Sequence, residues 1–211
     1  MKNTPKILLL SSSRFLINNP KVFDKPFRDL KMAYVTTASK GVTNLSYIER
    51  ERKFFKDEGY VYREFDIDGL TEDEVRKMLL GFDIVYVTGG NSFYLLKAIK
   101  ESKFDFVIKE LLEEGVIYMG ASAGSYIACP TIEMAKWKHQ DKYNHYKVED
   151  LHAMNLVPFL VSVHYAPEFD EVLKKGIQNS NLPVKVLTDE QAVLIQGSDV
   201  KLIGKGNEIK L

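Results

Sequence analysis

The chain has 211 residues, of which 45% are hydrophobic and 27% charged, and its 29 basic and 29 acidic residues cancel. That length suits one compact domain, 1–211, with a full core, and the balanced charge argues against a nucleic-acid binder or a protein held on an anionic membrane. The single cysteine, Cys129, rules out an internal disulfide. The apolar run Ile7 to Leu10 is too short for a signal peptide or a membrane span, so the expected location is the cytoplasm and the expected partner a small molecule.

Strand-like runs then alternate with helical patterns. Strand-like runs at Ile7 to Leu10, Met32 to Val35, Val61 to Phe65, Ile84 to Val87 and Val116 to Met119 predict strands, and those that are apolar without alternation, such as Ile84 to Val87, predict burial on both faces. Between them, helical periodicity covers about 46 to 58, 71 to 80, 92 to 101 and 104 to 114, with Thr71 placed three residues before Glu74 as a capping box. Such alternation predicts a mostly parallel sheet covered by helices, a three-layer α/β sandwich. The last third carries a helix at about Glu168 to Gln178. It also carries short strand candidates at Phe159 to Val163, Val184 to Leu187, Ala192 to Ile195, Val200 to Ile203 and Ile209 to Leu211, which read as hairpins. The polar segment Glu133 to Asn155 reads as a mobile loop near the top of the sheet.

The chemistry concentrates at predicted strand ends, where open α/β sheets place their sites. Gly120-Ala121-Ser122-Ala123-Gly124 follows the run Val116 to Met119 and opens a helix that Pro130 stops. This is the G-x-S-x-G pattern of a strained strand-to-helix turn that exposes a serine between small neighbours. A second end, Thr88-Gly89-Gly90-Asn91-Ser92, can bring a backbone N–H close to a substrate oxygen, or can simply make a turn whose Asn91 caps the next helix. A serine nucleophile needs a base. Of the four histidines, His164 follows the apolar run Phe159 to Val163, so a third strand end delivers its imidazole, whereas His139, His145 and His152 lie in the polar segment as solvated histidines. Their spacing fits no zinc motif, so no metal or other cofactor is expected.

These residues resemble the dipeptidase E (aspartyl dipeptidase) serine peptidases, which share the flavodoxin-like fold of class I glutamine amidotransferases. Three blocks in the same order carry the resemblance: Val87 to Leu96, Gly120 to Ser125 with Ala128 to Ile132 after it, and Asn155-Leu156-Val157-Pro158 leading to His164. The resemblance implies a flavodoxin-like, mostly parallel sheet with C-terminal β-hairpins, Ser122 as nucleophile and His164 as its base. It also implies the N–H groups of Gly90 and Ala123 as oxyanion donors beside Asn91, and a short peptide as substrate; a monomer or homodimer is expected. A serine rather than a cysteine at the elbow points to the peptidase branch, and Cys129, two turns down the helix, belongs to the core.

Two departures from the family pattern bear on function. The family's aspartate about fifteen residues after the nucleophile corresponds to Trp137, which leaves Asp189, Glu133 and Asp141 as candidates for the orienting acid; Asp189 matches an acidic position near the family's C-terminal hairpin. The family's arginine-containing segment after the histidine has no arginine here between Tyr165 and Ser180, only Lys174 and Lys175. Alternative readings are an esterase or other amide hydrolase on the same site, or a ligand-binding homologue without a complete triad.

Overall fold

The computed structural model describes residues 4–19, 22, 23, 25–138 and 142–211, together with the backbone but not the side chains of Gln140 and Asp141. A seven-stranded sheet in the order β3-β2-β4-β5-β1-β8-β9 forms its centre. The strands are β1 (Lys6–Leu10), β2 (Lys31–Val35), β3 (Val61–Phe65), β4 (Ile84–Val87), β5 (Ile117–Ala121), β8 (Gln191–Gln196) and β9 (Asp199–Gly204). Strands β1 to β5 are parallel, and β8 runs antiparallel between β1 and β9.

The unbroken apolar runs follow from burial on two faces. Along β1, Ile7 and Leu9 enter one core while Leu8 and Leu10 enter the other; β2, β4 and β5 divide in the same way. One face is covered by α1 (Arg14–Asn18) and α2 (Ser46–Asp57), through Phe15, Leu16, Ile48 and Phe55. The opposite face is covered by α3 (Glu72–Leu79), α4 (Ser92–Ser102), α5 (Phe104–Glu114) and α6 (Ala123–Ala128), through side chains such as Val75, Leu96, Val107 and Ile127. A period of two along each strand therefore produces the three layers, with helices on both sides.

The last third departs from a series of hairpins. β8 and β9 form one, but β6 (Leu160–Ser162) and β7 (Val184–Val186) pair in parallel as a separate two-stranded sheet. The reason is the intervening α7 (Asp170–Asn179), a crossover that returns the chain in the same direction. Ile209 makes only an isolated bridge to Val186. Parallel order sends the carboxyl ends of β1, β4 and β5 to one edge of the sheet. Because β8 is antiparallel to β1, with Leu10 opposite Ala192, the start of β8 lies at that same edge.

The Thr71 capping box is present: the Glu74 N–H donates to Thr71 Oγ1 at 3.4 Å and the Thr71 N–H donates to Glu74 Oε2 at 2.8 Å. Thr71→Ala is expected to cost about 1 kcal/mol, measured as a lower midpoint in denaturant unfolding with an unchanged slope.

Candidate active site

The site is built outward from the turn between β5 and α6. Ser122 occupies φ 52, ψ −110, a region costly for any residue with a Cβ. Neighbouring bonds hold it there. Its N–H donates to Leu10 O at 3.1 Å, and its carbonyl accepts from the Ser125 and Tyr126 N–H groups at 3.0 and 3.1 Å. The turn also requires a close approach of backbones, since a Cβ on Gly124 would fall 2.0 Å from the Val87 carbonyl oxygen. Glycine is therefore the residue that lets α6 sit on the end of β4.

Two further strand ends reach Ser122. His164 follows β6, and its Nε2 lies 2.9 Å from Ser122 Oγ, while its Nδ1 lies 2.6 Å from Asp189 Oδ1 just before β8. The three side chains form one hydrogen-bonded line drawn from three strands. His164 is itself at φ 53, and its backbone is pinned on either side: its N–H donates to Ser11 Oγ at 2.7 Å, and the Tyr165 N–H donates to Leu187 O at 2.9 Å. Ser11 is fully buried and its Oγ also lies 3.3 Å from Asp189 Oδ1, so this one hydroxyl touches both histidine and aspartate. The hydrogen bond to His164 holds the Asp189 carboxyl below its ordinary range, against the opposing effect of burial. Lys138 donates to the carbonyls of Val163 and His164, the latter at 3.2 Å; burial pulls its ammonium down to about 8, with Asp189 opposing.

The other two candidate acids fall in 3-10 turns. Glu133 begins a 3-10 turn, Glu133–Lys136, with its N–H donating to Thr131 Oγ1. Asp141 falls in the turn Gln140–Tyr143, and its side chain lies outside the described residues, as does His139. The Trp137 ring packs against Gly176 of α7, which makes that position a packing contact. His152 pairs with Asp150 on the surface, whereas His145 lines the cavity in front of Ser122. Cys129 is buried, and that burial pushes its thiol up to about 12.

The Gly89-Gly90-Asn91 end divides its functions. Gly90, at φ 139, passes so close to Ala38 that a Cβ would fall 2.3 Å from that residue's carbonyl oxygen, and it borders the cavity with Ser122. Asn91 is the helix cap: its Oδ1 accepts from the Phe93 and Tyr94 N–H groups, and its Nδ2 donates to Gly41 O and Tyr143 O. Its own N–H goes to Ala38 O at 2.9 Å. Those bonds occupy the donors of Asn91, so the structure places it at the wall of the site without a free donor. Ala123 is the first residue of α6, where an N–H has no partner inside its helix.

Two cavities meet at Ser122 and His164. The larger, about 600 Å³, is walled by Tyr47, Phe93, Tyr126, Tyr143, His145 and Tyr146 among others. The smaller, about 300 Å³, is bordered by Ser12, Ser13, Arg14, Arg50 and Glu51. Glu51 is 4% exposed, and its carboxylate accepts from the hydroxyls of Tyr34, Tyr86 at 3.1 Å and Thr88 at 2.7 Å. Burial raises its pKa, and the hydroxyl donors act in the opposite direction. Among the described residues, no group of three or more His, Cys, Asp or Glu side chains is placed to hold a metal ion, and no helix is long and apolar enough to cross a membrane.

Residues 7–203 match the family described as Peptidase family S51. The chain belongs to this family. As an S51 member it is a peptide-bond hydrolase. It is 29% identical over 206 residues to an uncharacterized peptidase of Pasteurella multocida, covering 96% of this chain and 98% of that one. It is 30% identical over 184 residues to peptidase E of a Nostoc species, covering 82% and 72%. A crystal structure of a Listeria monocytogenes protein assigned to peptidase E superimposes with a TM-score of 0.84 at 26% identity, covering 96% of this chain and all of that one.

Ser11, Arg14, Glu51 and Lys138 border this S51 site without having been singled out in the sequence. For Ser11 and Arg14 a signal existed: Ser11-Ser12-Ser13-Arg14 directly follows β1, and the strand-end rule that selects Ser122 applies equally there. Glu51 sits within a helical pattern and carried no such mark. Gly124→Ala is expected to destabilise by about 1–3 kcal/mol because the added methyl meets the Val87 carbonyl. An unobstructed helical glycine would instead gain about 0.5–1 kcal/mol, so the sign of the shift in the unfolding midpoint decides the matter.

Proposed function

We propose that this S51 member is a serine peptidase that cleaves short peptides through an acyl-enzyme on Ser122. The observation that carries the reading is the line Ser122 Oγ to His164 Nε2 at 2.9 Å and His164 Nδ1 to Asp189 at 2.6 Å. Both contacts lie within the reach proton transfer needs.

In this mechanism His164 removes the Ser122 proton as Oγ attacks the peptide carbonyl. Asp189 fixes the imidazole with Nε2 toward the serine and stabilises the imidazolium that forms. The oxyanion is held by the N–H groups of Gly90 and Ala123, each donor contributing on the order of 3 kcal/mol in the transition state. His164 then returns the proton to the leaving amine, and a water activated by the same imidazole hydrolyses the ester. Asp189 fills the place of the orienting acid, which favours a working hydrolase over a binding homologue with an incomplete triad. The walls contributed by Tyr143, His145 and Tyr146 leave a cavity of about 600 Å³, a volume suited to a few residues.

A fluorophosphonate is expected to modify Ser122 stoichiometrically, as read by intact-protein mass spectrometry with peptide mapping. Ser122→Ala should abolish labelling and turnover. Asp189→Asn should lower kcat by roughly 10³- to 10⁴-fold while leaving the unfolding midpoint of a half-exposed site little changed. Labelling elsewhere, or at an unchanged rate in His164→Ala, would contradict the assignment.

A further inference from the structure

The segment after β4 that carries the proposed oxyanion donor Gly90 is gripped by α2. Tyr47 and Glu51 stand one turn apart on that helix and so share a face, and each reaches one of two successive residues of the segment. The Glu51 carboxylate accepts from Thr88 Oγ1 at 2.7 Å, and the Tyr47 hydroxyl donates to the Gly89 carbonyl at 3.0 Å. Beyond them the Asn91 N–H donates to Ala38 O at 2.9 Å. Both ends of Gly89-Gly90 are thus anchored, and Tyr47 holds the middle.

The middle needs holding because of its residues. Neither glycine has a side chain to resist rotation of the peptide plane between them. Neither has room for one: a Cβ on Gly89 would crowd Ser122 Cβ at 3.1 Å, and one on Gly90 would fall 2.3 Å from Ala38 O. The Gly89 C=O and the Gly90 N–H belong to one trans peptide unit, in which they point in opposite directions. Fixing the carbonyl therefore fixes the N–H. Among the described residues, the hydrogen bond from Tyr47 is the one made to this unit. Burial, and then the nearby Glu51 charge, raise the Tyr47 hydroxyl above the ordinary tyrosine range, so it keeps its proton and stays a donor. Donation to the carbonyl also polarises the amide, which strengthens the N–H at its other end.

Resting on the serine peptidase reading, we infer that Tyr47 is a positioning residue for catalysis: its hydroxyl sets the plane of the Gly89–Gly90 peptide and so aims the N–H that holds the oxyanion. The effect belongs to the transition state, because the oxyanion forms only as Ser122 attacks. Without the hydroxyl, the peptide plane turns between two glycines while the bound substrate keeps the same walls. Glu51 acts one step further back, holding Thr88 and not the peptide unit itself.

Tyr47→Phe tests this, since it keeps the ring that borders both cavities and removes only the hydroxyl. Two quantities are compared between wild-type and variant protein: steady-state turnover of short peptides, and the second-order rate at which a fluorophosphonate labels Ser122, whose phosphonyl oxygen takes the oxyanion's place. In the variant, kcat is expected to fall about 10- to 100-fold with KM changed by less than about twofold. That loss is smaller than the roughly 10²- to 10³-fold cost of removing an oxyanion donor outright. Labelling should slow by a similar factor, and a merely structural role for Tyr47 would not divide kcat from KM in this way. A labelling rate that Tyr47→Phe leaves unchanged, or a loss confined to KM, overturns the inference. Labelling slowed in the variant, with no peptide turnover by the wild-type protein, would overturn the peptidase reading and leave the positioning role standing.

Discussion

The close approach of α6 to the end of β4 is the constraint on which the site depends. Gly124 meets the Val87 carbonyl where no side-chain carbon fits, and that contact forces the chain between β5 and α6 through a tight corner. The corner holds Ser122 at φ 52 and ψ −110, a conformation that the bonds to Leu10, Ser125 and Tyr126 keep in place. Strain of this kind costs on the order of 1–3 kcal/mol and persists only where the surroundings over-determine it. Here a parallel sheet buried on both faces supplies that determination, and the serine hydroxyl stands clear of the backbone as a result.

The remaining groups converge because of topology. Parallel order brings the ends of β1, β4 and β5 to one edge, the antiparallel β8 brings Asp189 to the same edge, and the small β6–β7 sheet lays His164 across it. Ser11 ties these parts together, accepting from the His164 N–H and lying within 3.3 Å of Asp189. His164 is the second non-glycine residue of the site at positive φ, so both ends of its contact with Ser122 are conformationally fixed. Such prior ordering lowers the reorganisation that proton transfer requires. The side chains of His164 and Asp189 remain 44% and 38% exposed, which leaves the imidazole open to a substrate.

Much of this was legible in the sequence because strand cores and strand ends leave different marks. Unbroken apolar runs identified β1, β2, β4 and β5, small and polar residues after two of these runs named Ser122 and Gly90, and His164 was the histidine that directly follows an apolar run. The parallel pairing of β6 with β7 was not legible: two short apolar runs carry no record of their relative direction, and only the α7 crossover fixes it. Asn91 carried two compatible readings, and its hydrogen bonds resolve them toward a helix cap. Asp189 was favoured over Glu133 and Asp141 only for its place at a strand end, since the acid bonded to His164 is brought there by the antiparallel arrival of β8 and not by spacing from the serine. Glu51 left no mark at all, because a buried carboxylate is stabilised by hydroxyls from Tyr34, Tyr86 and Thr88 that lie far from it in the chain.

The claim that joins fold to chemistry is that the strained corner presents Ser122 as a covalent nucleophile. Acid-quenching a peptide turnover within milliseconds and weighing the intact protein tests it most directly. The account predicts a transient species heavier by the acyl part of the peptide, located on Ser122 and decaying as product accumulates. Steady product formation with the protein mass unchanged at every quench time, including with slowly deacylating ester substrates, would contradict it.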